Sequence, residues 1–400
     1  MAVGWVFYHD TGYHDPGARR LSLLRSWDVT ALCFFKRRKF MSKAPDVLIV
    51  GGGVIGCALA YDLAASGLDV TVIEQERVGA GVSYGAGGML APQIEFAQGG
   101  PGLEWGMRSL TLYQEWDEAI RQRIGFGMDL DLSGTVRVTN TPNAWGPSDP
   151  FIRRHTQMGY VVKRLDASTI REWAPQIHPA ITSGIWVVGG QVDAYRATRM
   201  MAQAAVSHNA LIRSGVMVTG IEDGCVMTTA GRLCAQMVIV ATGAWLPHLV
   251  DVPLKPVKGQ RLLVALPQLL ARVPIFGDNI YVVPKASGQY FLGATTEPEA
   301  GYDQNPTLEA LMDLGTAAVG LFPELRHASV IEPWAGLRPV LPGELPLIAR
   351  VPRYERVLAV GGHYRHGFLL APITARIVRD WMVSNAPLPP DFSYQRFETA

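Results

Sequence analysis

The stretch DVLIVGGGVIGCALAYDLAASGLDVTVIEQ, residues 46–75, leaves few folds open. Residues 46–50 form a short continuous apolar run, the pattern of a strand buried in a parallel sheet. Residues 54–67 follow as a helix with Gly67 as its stop signal, and residues 69–74 as a second strand. Strand, helix and strand in about thirty residues make a βαβ unit with a right-handed crossover. Between the first strand and the helix stands Gly51-x-Gly53-x-x-Gly56. Gly51 makes the tight turn, Gly53 lets a pyrophosphate approach the backbone, and Gly56 lets helix and strand pack closely. The free N–H groups and the dipole at the helix start favour phosphate. Glu74 comes 23 residues after Gly51, where its carboxylate accepts from a ribose hydroxyl and repels a 2′-phosphate. A glycine-rich turn alone says little, but the whole order of strand, turn, helix, strand and acid predicts a dinucleotide site.

Composition removes other classes. The 400 residues, 48% hydrophobic and 18% charged, suffice for one large or two intertwined domains. A net charge of +1 argues against a nucleic-acid binder that works by bulk electrostatics. No apolar run approaches the roughly 18 residues of a membrane span. Cys33, Cys57, Cys225 and Cys234 form no metal-spaced pair and are too few for a disulfide scaffold, so they fit a reducing, cytoplasmic compartment. His363 and His366 flank a glycine-rich turn and do not share a helix face at i, i+4, so no metal site is expected. Residues 1–41 differ from the rest: they carry seven Lys/Arg against three Asp, with KRRK at 36–39, while the remainder holds 29 basic and 32 acidic residues. This leader reads as a disordered extension, or a start called too early before MSKAPDVLIVGGG at Met41, in preference to a targeting segment.

A second glycine-rich loop, VGAGVSYGAGGMLAP, occupies residues 78–92. Residues 108–124 are helical, with Leu112, Trp116, Ala119 and Ile120 on one face. Residues 134–139 read as a strand, 198–210 as a helix, and 237–245 as a buried strand ending in a tight Thr-Gly turn. RLLVAL, NIYVVP and YFLGATTE, spread over 261–297, have the β-branched and aromatic content of an antiparallel sheet. Residues 306–323 are helical, and 357–383 are strand, glycine-rich loop and closing helix. Gly361, Gly362 and Gly367 are expected to permit backbone geometry that a side chain forbids. The fold class is α/β: a GxGxxG-type cofactor domain with a parallel sheet and helices, and a discontinuous substrate domain with a large mixed or antiparallel sheet. Residues 44–95, 185–255 and 350–386 are assigned to the first, and 96–184 and 256–349 to the second.

The choice of nucleotide falls on FAD. The site lies close behind Met41, a glycine-rich loop at 79–88 follows the acid almost at once, and VLAVGGHYRHGFLLAP returns a loop and a helix start to the same sheet. A helix N-terminus there offsets negative charge on a reduced flavin ring. With these residues in hand, the chain resembles the D-amino-acid-oxidase-like flavoproteins, and within them the glycine-oxidase branch that serves thiazole formation in thiamine biosynthesis. The resemblance rests on IVGGGVIGCALAYDLA, SYGAGGMLAP, VIVATGAW, PVKGQ, IYVVPK, FLGATTE, WAGLRPVLPGELPLIAR and GGHYRHGFLLAP, which span residues 46 to about 384. WAGLRP paired with GHYRHGFLLAP is the most specific of these.

The resemblance implies that Val54, Ile55, Glu74, Gln75, Val82, Ser83, Gly87, Gly88 and Met89 line the FAD, that Val218 meets its adenine side, and that His363, Tyr364, Arg365, His366, Gly367, Phe368 and Leu369 wrap the ring. It implies that Arg338 and Arg365 face the substrate, with Tyr281 assisting, and that the protein is a homotetramer. It departs from the pattern at His366, where relatives often have Asn, at Asn279 in place of a His, and at Thr296 in place of a Met. No cysteine lies in 280–370, so FAD is expected to be held non-covalently.

The expected reaction is oxidative deamination of glycine and other small amines or D-amino acids. Arg338 grips the carboxylate bidentately, Tyr281 adds a hydrogen bond, and a hydride passes from Cα to flavin N5 with no obligatory side-chain base. The imine goes to a thiazole synthase or hydrolyses to glyoxylate and ammonia, and oxygen is reduced to hydrogen peroxide. Other readings remain for each residue. Arg338, placed in a loop before Pro339, also suits capping a helix or pairing with Glu332. Arg365 also suits bonding loop carbonyls, His363 contacting FAD through its backbone, and Met89 packing. The alternatives for the whole chain are a D-amino-acid dehydrogenase, a sarcosine-type oxidase, or an FAD-binding subunit without turnover.

Overall fold

The computed structural model describes residues 44–397 except 142, 143 and 147; the leader reading for 1–41 lies outside the described residues. Val47–Val50 and Val70–Ile73 pair in parallel, as the βαβ pattern requires, and every residue of both strands is buried. They are central to a six-stranded sheet ordered Leu347–Arg350, Val357–Gly361, Met237–Val240, Val47–Val50, Val70–Ile73, Leu211–Arg213. All neighbours are parallel except the first pair.

The Val54–Ala65 helix is apolar nearly all round, which fits its place between other helices instead of at the surface. It packs against Ala194–Ser207 and Gly367–Ser384 in one core that also takes Val47, Ile49, Val70 and Val72. Its one buried acid, Asp62, is met by Arg376 and Arg379 at 3.2 and 3.6 Å. The Pro101–Ile124 helix buries Leu112, Tyr113, Trp116 and Ile120. Ala119, expected on that face, is exposed, because the stripe runs through Tyr113 and Asp117 instead. Tyr113 is fully buried and donates to the carbonyl of Phe368 at 2.6 Å. That carbonyl lacks its helical partner because residue 372, four positions on, is a proline without an N–H. The tyrosine therefore completes the first turn of the C-terminal helix from another helix.

The second sheet has eight strands, ordered Ser329–Val340, Lys255–Ala265, Gln289–Gly293, Tyr281–Pro284, Ile275–Phe276, Thr135–Thr139, Ser183–Val187, Val162–Asp166. Only the Ile275–Phe276 and Thr135–Thr139 pairing is parallel. One face carries Val136, Leu262, Val264, Val282 and Leu292 onto the Leu308–Leu321 helix. The other face is the wall of the candidate site. Arg338 lies on the Ser329–Val340 strand, opposite Val257, and not in a loop. Pro339 is tolerated there because this is an edge strand.

Two further expectations change. Cys225 and Cys234 face each other across an antiparallel hairpin and are joined by a disulfide, whereas the sequence reading took the cysteines to fit a reducing compartment. Cys57 is buried and free, and burial pushes its thiol pKa up. Of the three late glycines, only Gly362 has left-handed backbone, φ +74°. A Cβ at Gly367 would meet nothing nearer than 3.9 Å, so the protein around it does not demand glycine. The second left-handed residue of that loop is Tyr364, φ +48°. No helix among the described residues is long and apolar enough to cross a membrane.

Candidate active site

The turn after the first strand behaves as its glycines predict. Gly51 has φ +107°, and a Cβ there would stand 2.5 Å from the carbonyl oxygen of Ala241 on the neighbouring strand's exit. A Cβ at Gly56 would stand 1.9 Å from the Gly51 carbonyl oxygen, so helix and turn touch only through glycine. Gly53 caps the helix without a side-chain bond. The Val54 N–H is held by Ser83 Oγ at 2.9 Å, which ties the second glycine-rich loop to the first. Glu74 Oε2 accepts from the Gly52 N–H at 2.7 Å and Oε1 from the Glu76 N–H at 2.8 Å. Val216 N–H donates to the Glu74 carbonyl, which brings the strand beginning at Val218 beside this acid. A helix start whose cap residue is glycine, beside a fixed carboxylate, fits an adenine dinucleotide.

Next to this turn is a cavity of about 370 Å³. Of the residues singled out in the sequence, the structure brings Val54, Val82, Ser83, Gly87, Gly88, Met89, Tyr281, Arg338, Tyr364, Arg365, Gly367 and Phe368 to its lining. Gly51, Gly53, Ile55, Gly56, Glu74, Gln75 and Val218 are not part of that lining. Nor are His363, His366 and Leu369, which are buried behind it. His363 Nε2 is 3.0 Å from Thr374 Oγ1, and burial lowers its pKa to about 3. Burial does the same to His366, also to about 3, with Arg365 adding to the effect.

The opposite wall is one face of the eight-stranded sheet. Cross-strand partners share a face, as do alternate residues along a strand. The pairs Gly259–Gly336, Arg261–Trp334, Arg261–Gly293, Gly293–Tyr281, Tyr281–Phe276 and Phe276–Arg137 therefore set one continuous row toward the cavity. Glycines in that row make room for tips. The Arg338 guanidinium lies over Gly259, and the Tyr281 hydroxyl lies over Gly293. The two side chains converge from different strands. Arg338 Nη1 donates to the Thr295 carbonyl at 2.9 Å, and the Thr295 hydroxyl accepts from Gln260 N–H at 2.9 Å. Burial raises the Tyr281 pKa, with Arg338 opposing, so its hydroxyl keeps its proton as a donor.

Several residues in and behind the wall are not among the candidates that the sequence offers. Glu95 takes the Arg365 guanidinium at 2.7 Å and stands 3.4 Å from His366 Nδ1. Burial raises its pKa and Arg365 opposes. Arg365 is thus committed to a carboxylate of the protein and not to loop carbonyls. Arg261, not Arg338, pairs with Glu332, at 2.5 Å. Lys285 donates to the carbonyl oxygens of Gly87 and Val192 at 2.7 and 3.2 Å, and its burial lowers its pKa to about 8. Trp334 fills the space between Gly85 and Gly336, where any Cβ would overlap its ring. Glu95 and Lys285 end motifs that the sequence displays, MLAPQIE and IYVVPK, but only the fold shows what they meet.

The fold and the nucleotide turn define a dinucleotide-binding oxidoreductase class, and comparison with known proteins narrows it. The family model described as FAD dependent oxidoreductase matches residues 46–381, and the chain belongs to that family. FAD is its cofactor. The chain is similar to the glycine oxidase of Geobacillus kaustophilus, 31% identical over 355 residues, covering 85% of this chain and 93% of that one. It is also similar to the bifunctional protein ThiO/ThiG of Synechocystis, 34% identical over 375 residues, covering 90% of this chain and 55% of that protein. The chain thus spans about half the length of the bifunctional relatives it matches. The crystal structure of the Geobacillus kaustophilus enzyme superposes with a TM-score of 0.82 at 29% identity, covering 88% of this chain and 98% of that one.

Proposed function

We propose that this chain oxidises glycine, with other small amines or D-amino acids as further substrates, at the expense of oxygen. Glycine, oxygen and water yield glyoxylate, ammonia and hydrogen peroxide, or the imine passes to a thiazole-forming partner. The observation that carries this reading is the convergence of Arg338 and Tyr281, over two glycines, in the cavity that Val54 at the helix start and the second glycine-rich loop also line. Bound FAD supplies the two-electron chemistry. The protein's share is placement. Arg338, whose guanidinium is aligned by the Thr295 carbonyl, grips the substrate carboxylate. Tyr281 donates to the same carboxylate. Arg365, fixed by Glu95, borders the substrate space. In this reading no side chain is required as a base.

The remaining assignments belong to the same proposal. Gly51, Gly53 and Gly56, with Val54 and Ile55, would receive the pyrophosphate; Glu74, Gln75 and Val218 the ribose and adenine. Val82, Ser83, Gly87, Gly88, Met89 and the 363–369 segment would hold the ring. Residues 44–95, 185–255 and 350–386 would form the cofactor domain, and 96–184 and 256–349 the substrate domain. The assembly would be a homotetramer, and its location the cytoplasm.

The experiment is anaerobic mixing of the yellow holoenzyme with glycine, sarcosine and D-alanine, followed by air. Bleaching by glycine and peroxide on reoxidation are expected. Bleaching without peroxide makes the chain a dehydrogenase, a flavin that no small amine bleaches makes it a non-catalytic subunit, and preference for sarcosine moves it to the sarcosine-type oxidases.

A further inference from the structure

The cavity contains more positive charge than one amino-acid carboxylate needs. Arg261 and Arg365 are each neutralised by a glutamate of the protein, Glu332 and Glu95. Arg338 has no carboxylate at ion-pair distance among the described residues and donates to the Thr295 carbonyl, as a carboxylate anchor should. The fourth guanidinium belongs to Arg137, and among the described residues it has neither a carboxylate at ion-pair distance nor any hydrogen-bond acceptor. It lies over the Trp145 ring, 5.3 Å from Cζ to centroid. Arg137 is half-buried on the Thr135–Thr139 strand and lines the cavity. Register places it in the row described above, with Phe276 directly between it and Tyr281. Strands about 4.8 Å apart put its backbone about 10 Å from that of Tyr281, on the side away from Arg338. Asp278 also lines this end but is exposed, and its carboxylate accepts from Thr139 Oγ1 at 3.1 Å.

A half-buried guanidinium loses hydration and regains it only in part from an aromatic face. An anion arriving there restores the missing partner, with the planar fork matched to a carboxylate. We propose that Arg137 is a second anion anchor, so that the cavity selects amino acids bearing a further carboxylate beyond the one held by Arg338. This rests on the amine-oxidase reading above and narrows its substrate class. The second carboxylate can be carried by a methylene on the nitrogen, as in N-(carboxymethyl)glycine, or by the side-chain methylene, as in D-aspartate. The chemistry balances as for glycine: N-(carboxymethyl)glycine, oxygen and water give glyoxylate, glycine and hydrogen peroxide.

The test compares acidic and neutral members of each pair in the holoenzyme: N-(carboxymethyl)glycine against sarcosine, and D-aspartate against D-alanine. The expected result is a higher kcat/KM for the acidic member of at least one pair, and that pair identifies whether the N-substituent or the side chain bears the second carboxylate. In Arg137→Gln the ratio of acidic to neutral should fall at least tenfold, while glycine turnover stays within about twofold. Diglycolate and methoxyacetate, which lack the amine, add a binding readout through perturbation of the flavin spectrum. Diglycolate should bind more tightly, and Arg137→Gln should abolish the difference. Wild-type preference for the neutral member in both pairs, or a ratio unmoved in Arg137→Gln, overturns the anchor. Loss of all amine turnover with the diglycolate preference intact overturns the oxidase reading and leaves the anchor standing. If Arg137→Gln does not fold, added salt decides on the wild type: acidic-member kcat/KM must fall with ionic strength more steeply than neutral-member kcat/KM, and parallel slopes overturn the proposal.

Discussion

The guanidinium of Arg338 occupies the space that a side chain at position 259 would take, its Cζ 2.3 Å from where a Cβ on Gly259 would stand. The glycine is what allows an arginine two strand positions away to lie flat against the sheet and present its fork to the cavity. Gly259→Ala therefore displaces the tip of a flexible side chain and little else. Thermal stability and FAD content are expected to match the wild type, while kcat/KM for glycine falls at least tenfold. Arg338→Ala is the limiting case: it should stay yellow and lose about a hundredfold or more, the scale of a lost charge-assisted contact. Normal glycine kinetics in Gly259→Ala would mean that the carboxylate is gripped elsewhere.

The βαβ unit was legible because each local signal in it is strong and the partners are near in sequence. Gly51, Gly53, Gly56 and Glu74 fall at a turn, a helix start and a strand end that local geometry alone sets, whereas their contacts with a nucleotide belong to the proposal. The sheet wall was legible only as strand-like character. Its function depends on register among strands drawn from residues 134–139, 255–293 and 329–340, and no local pattern encodes which residue faces which. That is why Arg338 was taken for a loop residue: Pro339 is a breaker in a central strand and is harmless at an edge. It is also why Glu95, Arg137 and Lys285 passed unnoticed, since each acquires its meaning from a partner contributed by a distant segment. The Cys225–Cys234 pairing needed the hairpin register that places the two residues opposite each other.

Glu74 is held by two backbone N–H groups, one from the nucleotide turn and one from the segment after its own strand. Removing it frees the Gly52 N–H and takes away the acceptor for a ribose hydroxyl. Glu74→Ala should weaken FAD binding at least tenfold, so that dialysis yields apoprotein under conditions in which the wild type stays yellow. Full flavin occupancy after dialysis would take the ribose role from this residue.

His363 and His366 make a prediction about acid. Both are buried in the turn before the C-terminal helix, with pKa values lowered to about 3, against about 6.5 in an unfolded chain. Between those values the unfolded state binds more protons, so stability falls as pH drops from about 6.5 toward 3. Glu95, 3.4 Å from His366, carries a raised pKa and acts in the opposite sense, taking up its proton in the folded state. The comparison must therefore be differential. The urea midpoint of the wild type should decline from pH 7 to pH 5 more steeply than that of His366→Asn, which has no imidazole to charge. Parallel declines would show that the His366 ring titrates normally and is not enclosed as described.

The hydroxyl of Tyr113 takes the place of an N–H that Pro372 cannot offer, donating to the Phe368 carbonyl in the first turn of the C-terminal helix. Phe368 lines the cavity, so this bond supports the site from behind. Tyr113→Phe keeps the ring and its packing but leaves a buried carbonyl without a donor, at a cost of about 1–3 kcal/mol. Chemical denaturation should show that loss in the midpoint with the slope unchanged. The effect should reach the cavity as faster flavin release, because the freed carbonyl lets the first turn loosen where the ring would lie. Tyr113→Phe combined with Pro372→Ala should recover most of the stability, since an alanine restores the N–H to the 368 carbonyl. If the double variant is no more stable than Tyr113→Phe, the hydroxyl is not standing in for the missing helical bond.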